Sequence, residues 1–291
     1  MNQVTFAIGF GFVTAAILAL TSVGLTVQFG VTNYVNFAYG GFLVLGGYIA
    51  WELTTVLGVN LWLAACVAGL VVGITAVLIS KGILDHFARG ARSLFYLLIV
   101  TFGLGLIIQN AIQAIWGPLY VQYQLPPSPP LHLGIFLLSW RQLIIIGIAV
   151  VCMFAVHLLL AYTKLGKAMR AMSDNASLAM VTGINTSRVT TITWLISGVL
   201  AGVGGAVFGY SLNNITPASD LTFLFVVFSA VILGGIGKPY GAMLGALIIG
   251  LATEVSAIVV TAAYKDDIAF AILALVLLVR PKGIFATAGK V

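Results

Sequence analysis

Few side chains here are equipped for chemistry, and their spacing argues against catalysis. The three histidines, His86, His132 and His157, are scattered, and no metal-ligand spacing occurs. Two Gly-Lys pairs, Gly166-Lys167 and Gly237-Lys238, are followed by Ala168 and Pro239 instead of continuing a phosphate-binding loop. Cys66 and Cys152 lie inside apolar stretches, where a thiol packs as a small, weakly polar group. The three Asn-x-Ser/Thr matches at Asn175, Asn185 and Asn214 are short enough to be coincidence. The expectation is therefore no enzyme, no metal and no cofactor on this chain.

Three other features remain. Glu254 is the one acid well inside an apolar run, and an ionisable group at membrane depth is costly enough to be a functional candidate. Thr253 and Ser256 could solvate it, and no basic partner is evident. Two segments, 29–48 and 231–250, mix glycines with amides or proline where continuous apolar helix would be expected. Close helix packing through small residues accounts for such stretches. So does a pair of broken elements lining a path near the bilayer midplane. The candidate pathway residues are Asn33, Asn36, Phe37, Tyr39, Gly234, Gly235 and Glu254. The third feature is LGKAMRAMSDNASLAMVTGIN, residues 165–185, which with Lys164 gathers basic groups in a chain that is only 7% charged.

The elements that must position these residues follow from composition. With 61% hydrophobic residues over 291 positions, the chain is an integral membrane protein, because a soluble domain carries about 25% charged residues. Its mean hydropathy is +1.16. Apolar runs at 4–27, 36–56, 60–80, 93–116, 140–162, 189–212, 221–237, 240–263 and 264–280 predict an all-α polytopic bundle of eight or nine spans. The last is the weakest, since it needs Lys265, Asp266 and Asp267 in an interfacial first turn. The first run is longer than a signal-peptide core and is expected to be retained. Helices should be short or broken near 29–42 and 231–241. The proline-rich stretch within Gly117–Ser139 predicts a stiff extended connection.

Eleven of the thirteen Lys and Arg residues fall in alternate loops, which places those loops in the cytoplasm, with the N-terminus outside and the C-terminus inside. The net charge of +6 is then a topology signal, and nucleic acid is not an expected partner. Residues 163–188 form a cytoplasmic segment too long for a simple turn. Asp174 or Asn175 can cap a short helix over 175–182, and Gly183 can close it in the left-handed conformation. Asn185 to Ser187 can cap the next span. With Leu178 and Val181 on one side and small alanines beside them, the short helix suits a groove on a partner. Anionic lipid headgroups are the alternative partner for its basic residues.

The stretch Thr163 to Asn185, with T-x-L-G-K-A-M-R-A, N-x-x-x-A and G-I-N, leads into S-G-x-L-A-G-x-G-G at Ser197–Gly205. Together with N-F-A-Y-G-G-F at 36–42 and G-G-I-G-K-P-Y-G-A-M-L-G-A at 234–246, it resembles the LivH-type permease family of branched-chain amino acid ABC importers. The resemblance implies one permease domain over 1–291, with 163–188 as a coupling loop that docks on a cytoplasmic ATPase. Lys164, Gly166, Lys167, Arg170, Asn175, Ala176, Gly183 and Ile184 are the matching positions, with Gly166 and Gly183 setting the turns. It further implies a second permease subunit, either LivM-like or a copy of this chain, two ATPase subunits that carry ATP and Mg, and an extracytoplasmic binding protein. The location implied is a bacterial inner membrane. Where the family often has Ala-His-Gly and an acid, this chain has Ala38-Tyr39-Gly40-Gly41, which bears on the substrate. Urea or short amides are alternative substrates. The competing functional classes are a secondary transporter with Glu254 as proton carrier and a passive channel.

Overall fold

The computed structural model describes residues 2–90, 94–124, 129–133, 136–258, 261, 264–280 and 283–284. Arg92, Lys282, Lys290 and most of 259–263 lie outside the described residues. In chain order the helices are α1 Asn2–Thr32, α2 Tyr39–Trp51, α3 Leu61–Ile79, α4 Asp85–Gly90, α5 Leu94–Trp116 and α6 Trp140–Tyr162. They continue with α7 Lys164–Val181, α8 Thr186–Leu212, α9 Ser219–Gly234, α10 Pro239–Ser256 and α11 Lys265–Val279. Two π-helical turns, Glu52–Val56 and Ser80–Leu84, extend α2 and α3. Helix dominates because hydrocarbon offers the backbone no partner other than itself.

Helix starts are fixed by side chains that accept from free N–H groups. Asn60 accepts from Trp62 and Leu63 at the head of α3, and Ser139 and Gln142 form a reciprocal capping box at the head of α6. The ends matter as much. α1 stops at Asn33, which takes a left-handed φ of 58° while its N–H bonds the Phe29 carbonyl at 2.7 Å.

Among the described residues, six helices are long and apolar enough to cross a membrane, by length and composition: Val4–Thr32, Leu61–Ala88, Phe95–Trp116, Trp140–Tyr162, Thr186–Leu212 and Pro239–Ser256. The expected eight or nine is higher. The remaining apolar runs, 36–56, 221–237 and 264–280, appear as α2, α9 and α11, of 13, 16 and 15 residues. An apolar run counts every residue, whereas the chain leaves the helix at 33–38 and again at the α9–α10 turn.

α8 is the axis of the bundle: 72% of its spanning window is buried, against 28% for α6. α2 and α3 lie along α8, and α1 runs along α10. Small residues permit this. A Cβ on Gly198 would meet Gly73 Cα at 2.8 Å, and one on Gly202 would meet Gly69 Cα at 2.8 Å, so α3 and α8 approach backbone to backbone.

The 117–139 connection is more ordered than its prolines suggest. β1 Val121–Gln122 pairs antiparallel with β4 Asn214–Ile215, and β2 Pro130–Leu133 pairs with β3 Phe136–Ser139. Pro130 stands at the first position of its strand, where a missing N–H is tolerated. The buried Tyr123 donates its hydroxyl to the Gly47 carbonyl at 2.6 Å, anchoring the connection to α2. Residues 125–128, in the middle of the proline-rich stretch, lie outside the described residues.

Candidate coupling and translocation site

The basic stretch is not a loop but two short helices in succession. The first begins at Thr163, whose hydroxyl accepts from the Gly166 N–H at 3.0 Å. Its buried residues Gly166, Met169 and Met172 follow helical spacing, and this pattern was available in the sequence as a sign of helix before residue 175. Gly166 does not set a turn, contrary to expectation: it is helical, and a side chain there would collide with the Leu159 and Leu160 carbonyls at the end of α6. The Arg170 guanidinium also turns inward, donating to the Leu160 carbonyl.

At Asn175 the backbone becomes extended, with φ −159° and ψ 103°, and its Oδ1 accepts from the Leu178 N–H at 3.0 Å. A second helix starts there, as the cap predicted. It closes through Gly183 N–H to the Met180 carbonyl and Ile184 N–H to the Ala179 carbonyl, both 3.1 Å, with Gly183 at φ 88°. This paired closure needs a left-handed residue. Asn185 then caps α8 by accepting from Arg188 N–H at 3.0 Å. Ala179 faces inward, while Leu178, Met180 and Val181 stand out, Val181 being 85% exposed. Lys164, Lys167 and Ala176 are also exposed, and Ile184 is half-buried. Met180 was missed in the sequence.

This region meets the second glycine segment. A cleft of about 500 Å³ lies between the end of α1, at Gly30 and Val31, the α7 residues Arg170, Ser173 and Asp174, and residues 237–241. A Cβ on Gly30 would lie 3.4 Å from Ser173 Oγ and 3.7 Å from the Gly237 carbonyl. Gly234 and Gly235 are buried in the turn that joins α9 to α10. Gly235 takes φ 95°, and side chains at Gly234 or Gly241 would run into the opposite backbone. Ile284 N–H bonds the Leu233 carbonyl at 2.9 Å, holding the chain beyond α11 against the same turn.

The first segment, 33–38, is held differently. Asn33 is exposed at the end of α1, while Asn36 is buried and donates from Nδ2 to Gln28 Oε1 at 3.3 Å. Asn36 Oδ1 accepts from Ala38 N–H at 3.0 Å, and the Ser197 hydroxyl donates to the same Gln28 oxygen at 3.1 Å. Thr101 Oγ1 accepts from Phe37 N–H at 3.3 Å. Tyr39, fully buried, donates to the Thr21 carbonyl at 2.9 Å. Its hydroxyl thus reaches α1 at Thr21, about 16 Å along that helix from Thr32. Phe37 lines a small apolar cavity of about 220 Å³ and meets Phe228 edge-on at 5.3 Å.

Glu254 stands apart from these residues and is not alone. Lys265 Nζ lies 2.6 Å from Glu254 Oε2, and the Thr14 hydroxyl donates to Oε1 at 3.0 Å. The basic partner that was not evident in the sequence is thus eleven residues downstream, in the first turn of α11. The pair borders a second cavity of about 450 Å³, at the end of α8 opposite α7. Glu254 therefore lies apart from the other pathway candidates, whereas Phe37 shares its cavity with Val231, Ile232 and Ile236, the residues on either side of Gly234 and Gly235.

Residues 7–277 match the family described as branched-chain amino acid transport system, permease component. The chain belongs to that permease family. This permease is 30% identical to the high-affinity branched-chain amino acid transport system permease protein BraD of Pseudomonas aeruginosa, covering 94% of this chain and 93% of that protein. It is 29% identical to LivH of Escherichia coli K12, covering 94% and 92%. A second kind of permease protein, LivM of Salmonella typhimurium, is 26% identical over 82% of this chain and 61% of its own length. The permease is a multi-pass membrane protein and a transport component.

Proposed function

We propose that this chain is the membrane permease of an ATP-driven importer for branched-chain or other aliphatic amino acids. It would pair with a second permease subunit, LivM-like or a copy of itself, and receive its substrate from an extracytoplasmic binding protein. Two cytoplasmic ATPase subunits would carry ATP and Mg. The α7 end of the bundle then faces the cytoplasm of a bacterial cell, as the distribution of Lys and Arg suggests, with membrane lipid around the outer helices.

The observation that carries this reading is the second helix of α7. It is capped at both ends and presents Leu178, Met180 and Val181 outward, away from the spanning helices, where exposed apolar side chains are a cost unless a partner covers them. Inward, Gly166 and Arg170 tie the first helix of α7 to the end of α6. A push on the tip would thus reach the bundle and the cleft at Gly30 and Gly237. Arg170, itself exposed, acts here as a tie to α6, and Lys164 and Lys167 are exposed cations that can meet an acidic surface.

The test uses the assembled transporter in proteoliposomes. With Leu178→Asp and Val181→Asp combined, ATP-driven uptake is expected to fall at least about tenfold, since two buried apolar contacts are lost, while insertion and thermal stability stay unchanged. Coupled uptake at the original rate would overturn the docking role. A proton-coupled mechanism built on Glu254 loses its motive, because the carboxylate already has an ammonium and a hydroxyl beside it.

A further inference from the structure

The cavity bordered by the Glu254–Lys265 pair has no part in the α7 machinery, yet it is built like a ligand site. It lies between α1, α8, α9, α10 and α11, and its volume of about 450 Å³ falls within the range of small-molecule sites. Its lining combines two chemistries: Glu254, Lys265 and Asp266 are charged, while Leu18, Val226 and the stacked rings of Phe208 and Phe223, whose centroids are 3.8 Å apart, are apolar, with hydroxyls from Thr14, Ser211, Thr216, Ser219, Thr222 and Thr253 among them.

The charged part of the lining is only partly used. A lysine ammonium has three donors, and the contact with Glu254 occupies one of those on Lys265. Asp266 forms no ion pair among the described residues. An acceptor carboxylate and a donor ammonium thus border one cavity together with apolar side chains.

We infer that this cavity binds the zwitterionic head of an aliphatic α-amino acid, with Lys265 receiving the carboxylate, Asp266 the ammonium, and Phe208 and Phe223 the side chain. Thr14 and Glu254 hold Lys265 in place. The inference rests on the importer reading: given the orientation proposed above, the cavity opens toward the outer side and is a way-station between the binding protein and the membrane interior. Selection by class follows from the chemistry. A solute lacking either charged group leaves one of the two residues unmatched, and a solute without an apolar side chain leaves the aromatic rings uncovered.

Equilibrium binding of radiolabelled L-leucine to the purified full-length chain in nanodiscs tests this. Leucine is expected to bind and to be displaced by valine. 3-Methylbutan-1-amine and 4-methylpentanoate, which each lack one charged group, should compete roughly tenfold to a hundredfold less well, the scale of a lost charge-assisted bond. Lys265→Met and Asp266→Asn should weaken leucine by a similar factor, with Lys265→Arg retaining it. Thr222→Trp, which fills the cavity without touching a charge, should abolish binding. Unchanged affinity in Lys265→Met and Asp266→Asn, equal competition by the bare amine, or no leucine binding to folded protein would each overturn the assignment. ATP-driven leucine uptake by the assembled transporter, measured in parallel, separates the two ideas. If uptake persists undiminished in these variants, the importer reading stands and the cavity assignment falls. If the wild-type transporter takes up no amino acid, the importer reading itself falls.

Discussion

The chain breaks its helical course at 33–38 and at 235–238, and the two breaks are stabilised by opposite means. At 33–38 the freed backbone is held by side chains: Asn36 takes the Ala38 N–H and Thr101 the Phe37 N–H, while Asn36 and Ser197 both donate to the Gln28 amide oxygen. At 235–238 there is almost no side chain to do so. Gly234 and Gly241 bring α9 and α10 into backbone contact, and Gly235 and Gly237 adopt φ of 95° and 82°. A break inside the bundle must supply its own polar partners because no water is there to do so. A break at the end of two helices needs only room and left-handed residues. The same mixture of glycine and amide in a sequence therefore encodes a buried polar anchor in one place and a tight turn in the other.

The difference can be broken experimentally, and the largest effect belongs to the glycine turn. Gly234→Leu should cost about 3 kcal/mol or more, since the new side chain meets main chain that cannot rotate away. Loss of monodisperse protein on size exclusion after gentle extraction is the expected readout. Asn36→Leu should cost about 1–3 kcal/mol by leaving the buried Gln28 amide short of a partner, seen as a lower unfolding temperature. Combining it with Gln28→Leu should cost less than the sum of the single changes, because the polar pair is then replaced as a unit. Strict additivity would mean that the two amides do not work together. Ser197→Ala should be the mildest, at about 0.6 kcal/mol, the usual size of one interhelical hydrogen bond in a membrane protein.

Legibility followed the range of the interaction. The caps at Asn175, Gly183 and Asn185 were readable because each is decided by bonds within five residues. The all-helical class was readable from apolar run length. The role of Gly166 was not: a glycine in a basic stretch reads as a turn, and only the return of α7 onto the Leu159 and Leu160 carbonyls shows that it is there for closeness. The span count overshot because composition cannot tell where α2 resumes, and that point is set by Tyr39 reaching Thr21. Glu254 looked unpaired because its partner sits beyond the end of α10, and the third member, Thr14, is 240 residues away. Glu254 parted from the other candidate pathway residues for the same reason, since nothing in a linear pattern says which end of a bundle a residue occupies.

The proposed coupling requires the second helix of α7 to seat in a partner ATPase. A photoactivatable benzophenone side chain placed at Val181, in the assembled transporter within native membranes, tests it most directly. Irradiation is expected to produce an adduct between the permease and the ATPase subunit. Irradiation that labels lipid alone, in a transporter still accumulating amino acid, would contradict it.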